Sequence, residues 1–126
     1  MKAAYQSALQ GGASQPAGDK ELTVGGDAVR HLDPNETASS IRRANALIAS
    51  GDLAAARLVL RRPAEAGDAR AAMMLAETYD PGVLMKLGVH GVVSDVAIAR
   101  SWYEKARKFG ATEAIQQLEV LASKQR

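Results

Sequence analysis

Two stretches of the chain, 52–75 and 95–118, carry the same pattern at an offset of 43 residues. Without a gap, that offset aligns Asp52 with Asp95, Ala54 with Ala97, Ala56 with Ala99, Arg57 with Arg100, Gly67 with Gly110, Ala71 with Ala114 and Leu75 with Leu118. Self-similarity at one period of about 20–50 residues, with helical spacing inside each unit, is typical of an α-solenoid. The pattern therefore predicts an all-α fold of stacked helix pairs.

Each unit reads as two helices joined by a tight turn. In the second unit Asp95 is a natural N-cap, and the apolar residues that follow it recur at helical spacing. Gly110 then ends the helix, because glycine readily adopts the left-handed conformation. Trp102 and Tyr103 fall on the apolar stripe, which indicates a packing role between helices rather than stacking against a ligand.

The second unit resembles the Sel-one-like repeat, a relative of the tetratricopeptide repeat found in bacterial proteins. Residues 95–106 read D-x-x-x-A-R-x-W-Y-x-K-A, and residues 91–95, GVVSD, resemble the family's G-V-x-x-D motif. Tyr79 stands where the family places its first-helix aromatic. The resemblance covers roughly 38–122 and implies a right-handed superhelix of antiparallel helix pairs, here about five helices. It also implies protein–protein interaction without chemistry of its own.

The chain divides at its first helix signal, Asp33-Pro34. Residues 1–32 are rich in Gly, Ser, Ala and Gln, a composition that predicts a disordered tail or linker. Residues 33–124 form the predicted helical repeat domain. Its helices are expected at 34–50, 52–66, 68–79, 95–109 and 112–123. Pro63 lies inside the second of them, where the missing N–H predicts a kink or a split.

The segment 80–94 departs from the repeat pattern. It is longer than the corresponding family segment, and Val83, Leu84, Met85, Leu87 and Val89 make it apolar. An exposed loop of that composition would promote aggregation. We therefore expect an insertion loop that folds back, with a short helical turn at 83–87, and covers the end of the stack.

The residue types give no support for catalysis, a cofactor or a metal. The chain has no cysteine, and His31 and His90 do not share a spacing that matches a known metal site. No serine lies in a nucleophile elbow, and no glycine-rich phosphate loop follows a strand. The net charge of +2 gives little support for nucleic-acid binding. The arginines at 57, 61 and 62 are expected on a solvated outer face.

No apolar run approaches the length of a membrane-spanning helix. The first ten residues do not read as a signal peptide, so the compartment stays open between cytoplasm and periplasm, and the sequence could also be a fragment.

The resemblance also predicts where a partner binds. In helix-pair repeats the first helix of each pair lines the concave surface, so the first, third and fifth helices would form a groove. Its residues would be Arg42, Asn45, Arg70, Met73, Met74, Glu77, Glu113, Gln116 and Gln117. Met73 and Met74 suit varied apolar partners, but the same side chains could instead pack beneath the insertion.

The hypothesis that follows is a non-catalytic module that binds a partner protein or peptide on this face. Two alternatives stay open. One is homo-oligomerisation through the apolar 83–89 segment, including a homodimer, because about two and a half repeat units are near the lower limit for a stable stack. The other is an enzyme or regulator domain of the cell envelope, associated with peptidoglycan.

Overall fold

The computed structural model describes residues 32–124, which form six α-helices and no strand. The helices are α1 (Pro34–Ala49), α2 (Leu53–Glu65), α3 (Ala69–Tyr79), α4 (Pro81–Leu87), α5 (Val96–Lys108) and α6 (Glu113–Lys124). The all-α class is therefore confirmed for this part of the chain. The predicted tail, apart from Leu32, lies outside the described residues.

Five of the helices lie where the sequence predicts them, and α4 is additional. It occupies the first half of the 80–94 segment, which was expected to be a loop with one helical turn. Asp80 begins it as N-cap, Pro81 suits its first position, and Gly88 closes it at a φ of 68°. Residues 89–95 then run without regular structure to α5.

Short capping interactions set the helix boundaries. The Asp52, Asp68 and Asp95 carboxylates each accept a hydrogen bond from a backbone N–H three residues on, at 3.1, 2.8 and 3.0 Å. Such caps are each worth about 1 kcal/mol. Gly67 and Gly110 follow α2 and α5 at positive φ. The aspartate cap at 52 and 95 and the glycine turn at 67 and 110 thus recur at the 43-residue offset, whereas Asp68 aligns with Ala111, which has no capping side chain.

Pro63 lies in the last turn of α2, and its side chain is buried. The helix is continuous from Leu53 to Glu65, so the predicted split does not occur. Near a helix end the missing N–H removes a single intrahelical bond, that to the Val59 carbonyl. The Pro63 carbonyl itself accepts the Asp68 N–H at 3.1 Å, which helps to close the turn to α3.

The central element of the core is α3, which packs against α2, α5 and α4, while α1 packs on α2 and α6 on α5. Its residues 71–76 are all buried. A helix that is apolar on every side belongs in an interior. Three of these six residues are alanines, which let neighbouring helices approach closely.

The C-terminal end of α3 is held by Arg57 of α2. The Arg57 guanidinium donates to the carbonyls of Thr78 and Val93, the latter at 2.8 Å, and it lies 3.8 Å from the centre of the Tyr79 ring. The Asp95 N–H donates to the Tyr79 carbonyl at 2.9 Å. The bonds to the Thr78 and Tyr79 carbonyls satisfy groups that a helix end leaves without intrahelical partners, and the bond to Val93 ties the 89–95 segment to α2. The expectation that Arg57 belongs to a solvated outer face is therefore wrong.

The next residue, Asp80, is a buried carboxylate with two donors. Tyr103 of α5 donates its hydroxyl to Oδ2 at 2.8 Å, and the Gly82 N–H donates to Oδ1 at 2.9 Å. Burial raises the pKa of the Tyr103 hydroxyl, and the hydrogen bond to Asp80 raises it further. Tyr103 is thus a core residue, as predicted, and it also supplies a bond that a buried carboxylate requires.

Replacing Tyr103 with Phe is expected to reduce the free energy of unfolding by about 1–3 kcal/mol, because the buried Asp80 oxygen loses its donor. Urea denaturation near neutral pH measures the change. The double variant Asp80→Asn/Tyr103→Phe should lose less than the sum of the single variants. Fully additive losses would show that the two side chains do not interact.

Replacing Arg57 with Ala is expected to cost about 1–3 kcal/mol of unfolding free energy, since two carbonyls lose a charged donor. Arg100, at the aligned position on α5, is exposed and provides the matched control. Arg100→Ala should change the stability by no more than about 0.5 kcal/mol. Equal losses in the two variants, measured by urea denaturation, would contradict the role of Arg57.

Candidate functional site

A cavity of about 360 Å³ opens between α1, the beginning of α2, α3, α4 and the beginning of α6. It is lined by Asn45, Ile48, Leu53, Arg70, Met73, Met74, Glu77, Thr78, Val83, Leu87 and Glu113. The short helix α4, of seven residues, contributes Val83 and Leu87 to one wall of the cavity. A concave site with an apolar lining and a few polar groups is the usual form of a binding pocket.

The floor of the cavity is apolar. Met73 and Met74 are 7% and 4% exposed, and Val83 and Leu87 of α4 line the same space. The two methionines therefore pack beneath the 80–94 insertion. The sequence allowed this position as the alternative to an open groove. The expectation that they stand exposed in an open groove is wrong, although both still line the cavity.

The polar groups of the cavity come from three helices. Asn45 of α1, Arg70 at the start of α3 and Glu113 at the start of α6 are exposed, whereas Glu77 is half-buried. Burial raises the pKa of the Glu77 carboxyl; Arg70 opposes this, and the negative charges of Asp80 and Glu113 add to it. The site thus disfavours the charged form of Glu77.

The cavity brings together most of the residues that the sequence predicts for the partner-binding face. Asn45, Arg70, Met73, Met74, Glu77 and Glu113 line it. Arg42, Gln116 and Gln117 do not; Arg42 lies about one turn before Asn45 on α1, and the two glutamines lie about one turn beyond Glu113 on α6.

Sequence reasoning missed the other lining residues, which are Ile48, Leu53, Thr78, Val83 and Leu87. Ile48 and Leu53 belong to apolar stripes, so their pattern indicates burial and nothing more. Val83 and Leu87 carried a usable signal, since both lie in the apolar insertion that was expected to fold back.

Within residues 32–124, the histidine and the other metal-ligating side chains do not form a second site. His90 is exposed and lines a shallow depression with Leu87 and Ser50, and His31 lies outside the described residues. Within residues 32–124, no group of three His or carboxylate side chains is arranged to hold a metal ion.

Comparisons with protein-family models, curated proteins and solved structures gave no match to this chain. Among the helices of residues 32–124, none combines the length and the apolar character that a membrane crossing requires.

The raised pKa of Glu77 predicts how stability depends on pH. As pH rises through the folded-state pKa, the native state must ionise a carboxyl that the unfolded chain ionises more easily, so the free energy of unfolding falls. Glu77→Gln removes this loss. We expect Glu77→Gln to have a higher Tm than the wild type near neutral pH, with the difference disappearing toward about pH 4.

Thermal denaturation of both proteins across that pH range measures the difference. Glu119→Gln, an exposed position on α6, controls for the loss of one negative charge. A wild-type protein that gains stability over Glu77→Gln as the pH rises would show that the folded state favours the charged carboxyl.

Proposed function

We propose that residues 33–124 form a non-catalytic repeat domain that binds a segment of a partner protein or a peptide in the cavity above Met73 and Met74. The observation that carries this proposal is the composition of that cavity. Methionine side chains adapt to varied apolar partners. Charges of both signs on Arg70, Glu77 and Glu113 provide groups that orient a ligand.

The repeat part of the proposal is a short right-handed superhelix of Sel-one-like helix pairs. Support comes from the local geometry that recurs 43 residues apart, namely the Asp52 and Asp95 caps and the Gly67 and Gly110 turns. Helix α2 packs against α3, and α5 packs against α6. Domains of that kind bind partners on extended surfaces built from successive repeats.

The side chains of the cavity favour binding over catalysis. Among the described lining residues Thr78 alone carries a hydroxyl, and that hydroxyl donates to the Leu75 carbonyl and accepts from the Arg57 Nε. None of the described residues that line the cavity is a histidine. An activated nucleophile needs a neighbouring base, and the cavity lining does not supply such a pair.

The exposed side chains of α4 favour a second candidate, homo-oligomerisation. Met85 is 81% exposed and Leu87 is 47% exposed, and both lie in the 83–89 segment. Large apolar side chains in contact with water are candidates for an interface. This candidate requires a dimer or larger species, so sedimentation velocity at several concentrations distinguishes it from a monomer that binds peptides.

Peptide binding can be tested by selecting a random peptide library, displayed on phage, against the full chain. We expect enriched peptides whose synthetic copies bind the chain. The variant Arg70→Glu/Glu113→Lys, which reverses two exposed charges beside the cavity, should bind them roughly tenfold more weakly. Fluorescence anisotropy with labelled peptides measures both affinities.

The matched control is Arg62→Glu/Glu119→Lys, which makes the same exchange at exposed positions of α2 and α6 that do not line the cavity. It should bind like the wild type, and circular dichroism should show that both variants keep their helices. A selection without enriched peptides, or equal weakening by both variants, would contradict the proposed function.

A further inference from the structure

Glu77 is a carboxylate in an electrostatically unfavourable position. It lies in the last turn of α3, where the helix already presents its partial negative charge, and that turn holds no basic residue. It is half-buried, and it lines the cavity directly. A carboxylate in such a place is stabilised by a cation or by hydrogen-bond donors.

The neighbouring carboxylates are compensated by hydrogen bonds or by a helix dipole, whereas Glu77 has the nearby charge of Arg70, which opposes the effect of burial on its pKa without cancelling it. Asp80 accepts bonds from Tyr103 and Gly82, and Glu113 stands in the first turn of α6, where the helix dipole favours a negative charge. Within the described part of the chain, no donor hydrogen-bonds to the Glu77 carboxylate. The salt bridge found among the described residues joins Arg61 to Glu65, and both of these residues lie on α2.

We infer that the cavity recognises a partner segment that carries a lysine or arginine close to a long apolar side chain. The cationic group pairs with Glu77, and the apolar side chain lies on Met73 and Met74. This inference rests on the proposed function, because it names the chemistry of the peptide that the cavity binds.

Three properties of the cavity fit that occupant. Its volume of about 360 Å³ is at the small end for ligand pockets, so it suits one or two side chains better than a whole secondary-structure element. The apolar floor lies one turn from the Glu77 carboxylate, since Met73 and Met74 precede it by four and three residues on α3. A cation would also offset the repulsion of Glu77 by Asp80 and Glu113, the same repulsion that contributes to its raised pKa.

The test uses the full chain and a peptide enriched on it from the random library. We expect enriched peptides to contain Lys or Arg near Leu, Met or Phe. Replacing that basic residue by Ala should weaken binding to the wild type roughly five- to tenfold. The same peptide change should have little effect on binding to Glu77→Gln, because the carboxylate that pairs with the basic residue is gone.

The outcomes separate this inference from the proposed function. No enrichment at all would overturn both. Peptides that bind in the cavity without a preference for Lys or Arg, or a basic residue that matters equally in wild type and Glu77→Gln, would overturn the inference alone. Glu119→Gln, which removes one charge away from the cavity, should leave the effect of the basic residue unchanged.

Two other occupants of the cavity would also overturn the inference of a basic partner segment. A dimer that Glu77→Gln dissociates in sedimentation velocity would identify a second copy of the chain as the occupant. Without peptide, a change in the NMR amide resonances of Lys20 or Arg30 on Glu77→Gln substitution would identify the chain's own N-terminal segment. We expect Glu77→Gln to cause neither change.

Discussion

The arrangement of residues 32–124 depends on satisfying the buried C-terminal end of α3. Because this helix is surrounded by α2, α4 and α5, its last carbonyls lie away from bulk water. Arg57 donates a hydrogen bond to the Thr78 carbonyl, and the Asp95 N–H donates one to the Tyr79 carbonyl. Asp80 caps α4 and accepts a hydrogen bond from the Tyr103 hydroxyl. One short stretch of backbone thus fixes the positions of α2, α4 and α5 together. A buried polar group without a partner would cost more than any single one of these bonds contributes.

The same constraint creates the cavity. Since Asp80 both ends α3 and begins α4, the short helix folds back directly over the preceding turns of α3. The seven residues of α4 cover Met73 and Met74 from one side, and Ile48 of α1 lines another side of the cavity. Glu77 lies one turn further along α3 than the methionines. The apolar floor and the carboxylate therefore follow from one reversal of the chain.

The sequence predicted what is decided locally. Aspartate caps, glycines at positive φ and apolar stripes act within a few residues, so the helix ends lie close to where the pattern placed them. Tertiary packing decides the rest. Arg57 and Arg100 occupy aligned positions of the repeat pattern, yet Arg57 alone of the two bonds to the carbonyls of Thr78 and Val93, which tertiary packing brings next to it. Likewise, composition showed that the insertion had to bury apolar side chains, but not that it would cover the methionines.

Two features of the surface compete as indicators of function, and they differ in their energetic cost. The exposed Met85 of α4 costs the folded monomer little, because an apolar side chain that stays in water loses nothing on folding. Glu77 is different: its burial and its negative neighbours disfavour its ionised form in the folded state. Arg70 offsets this cost only in part, and a charged group that the fold compensates incompletely is expected at a functional site rather than in a scaffold. That difference favours the cavity over the α4 surface as the place where a partner binds.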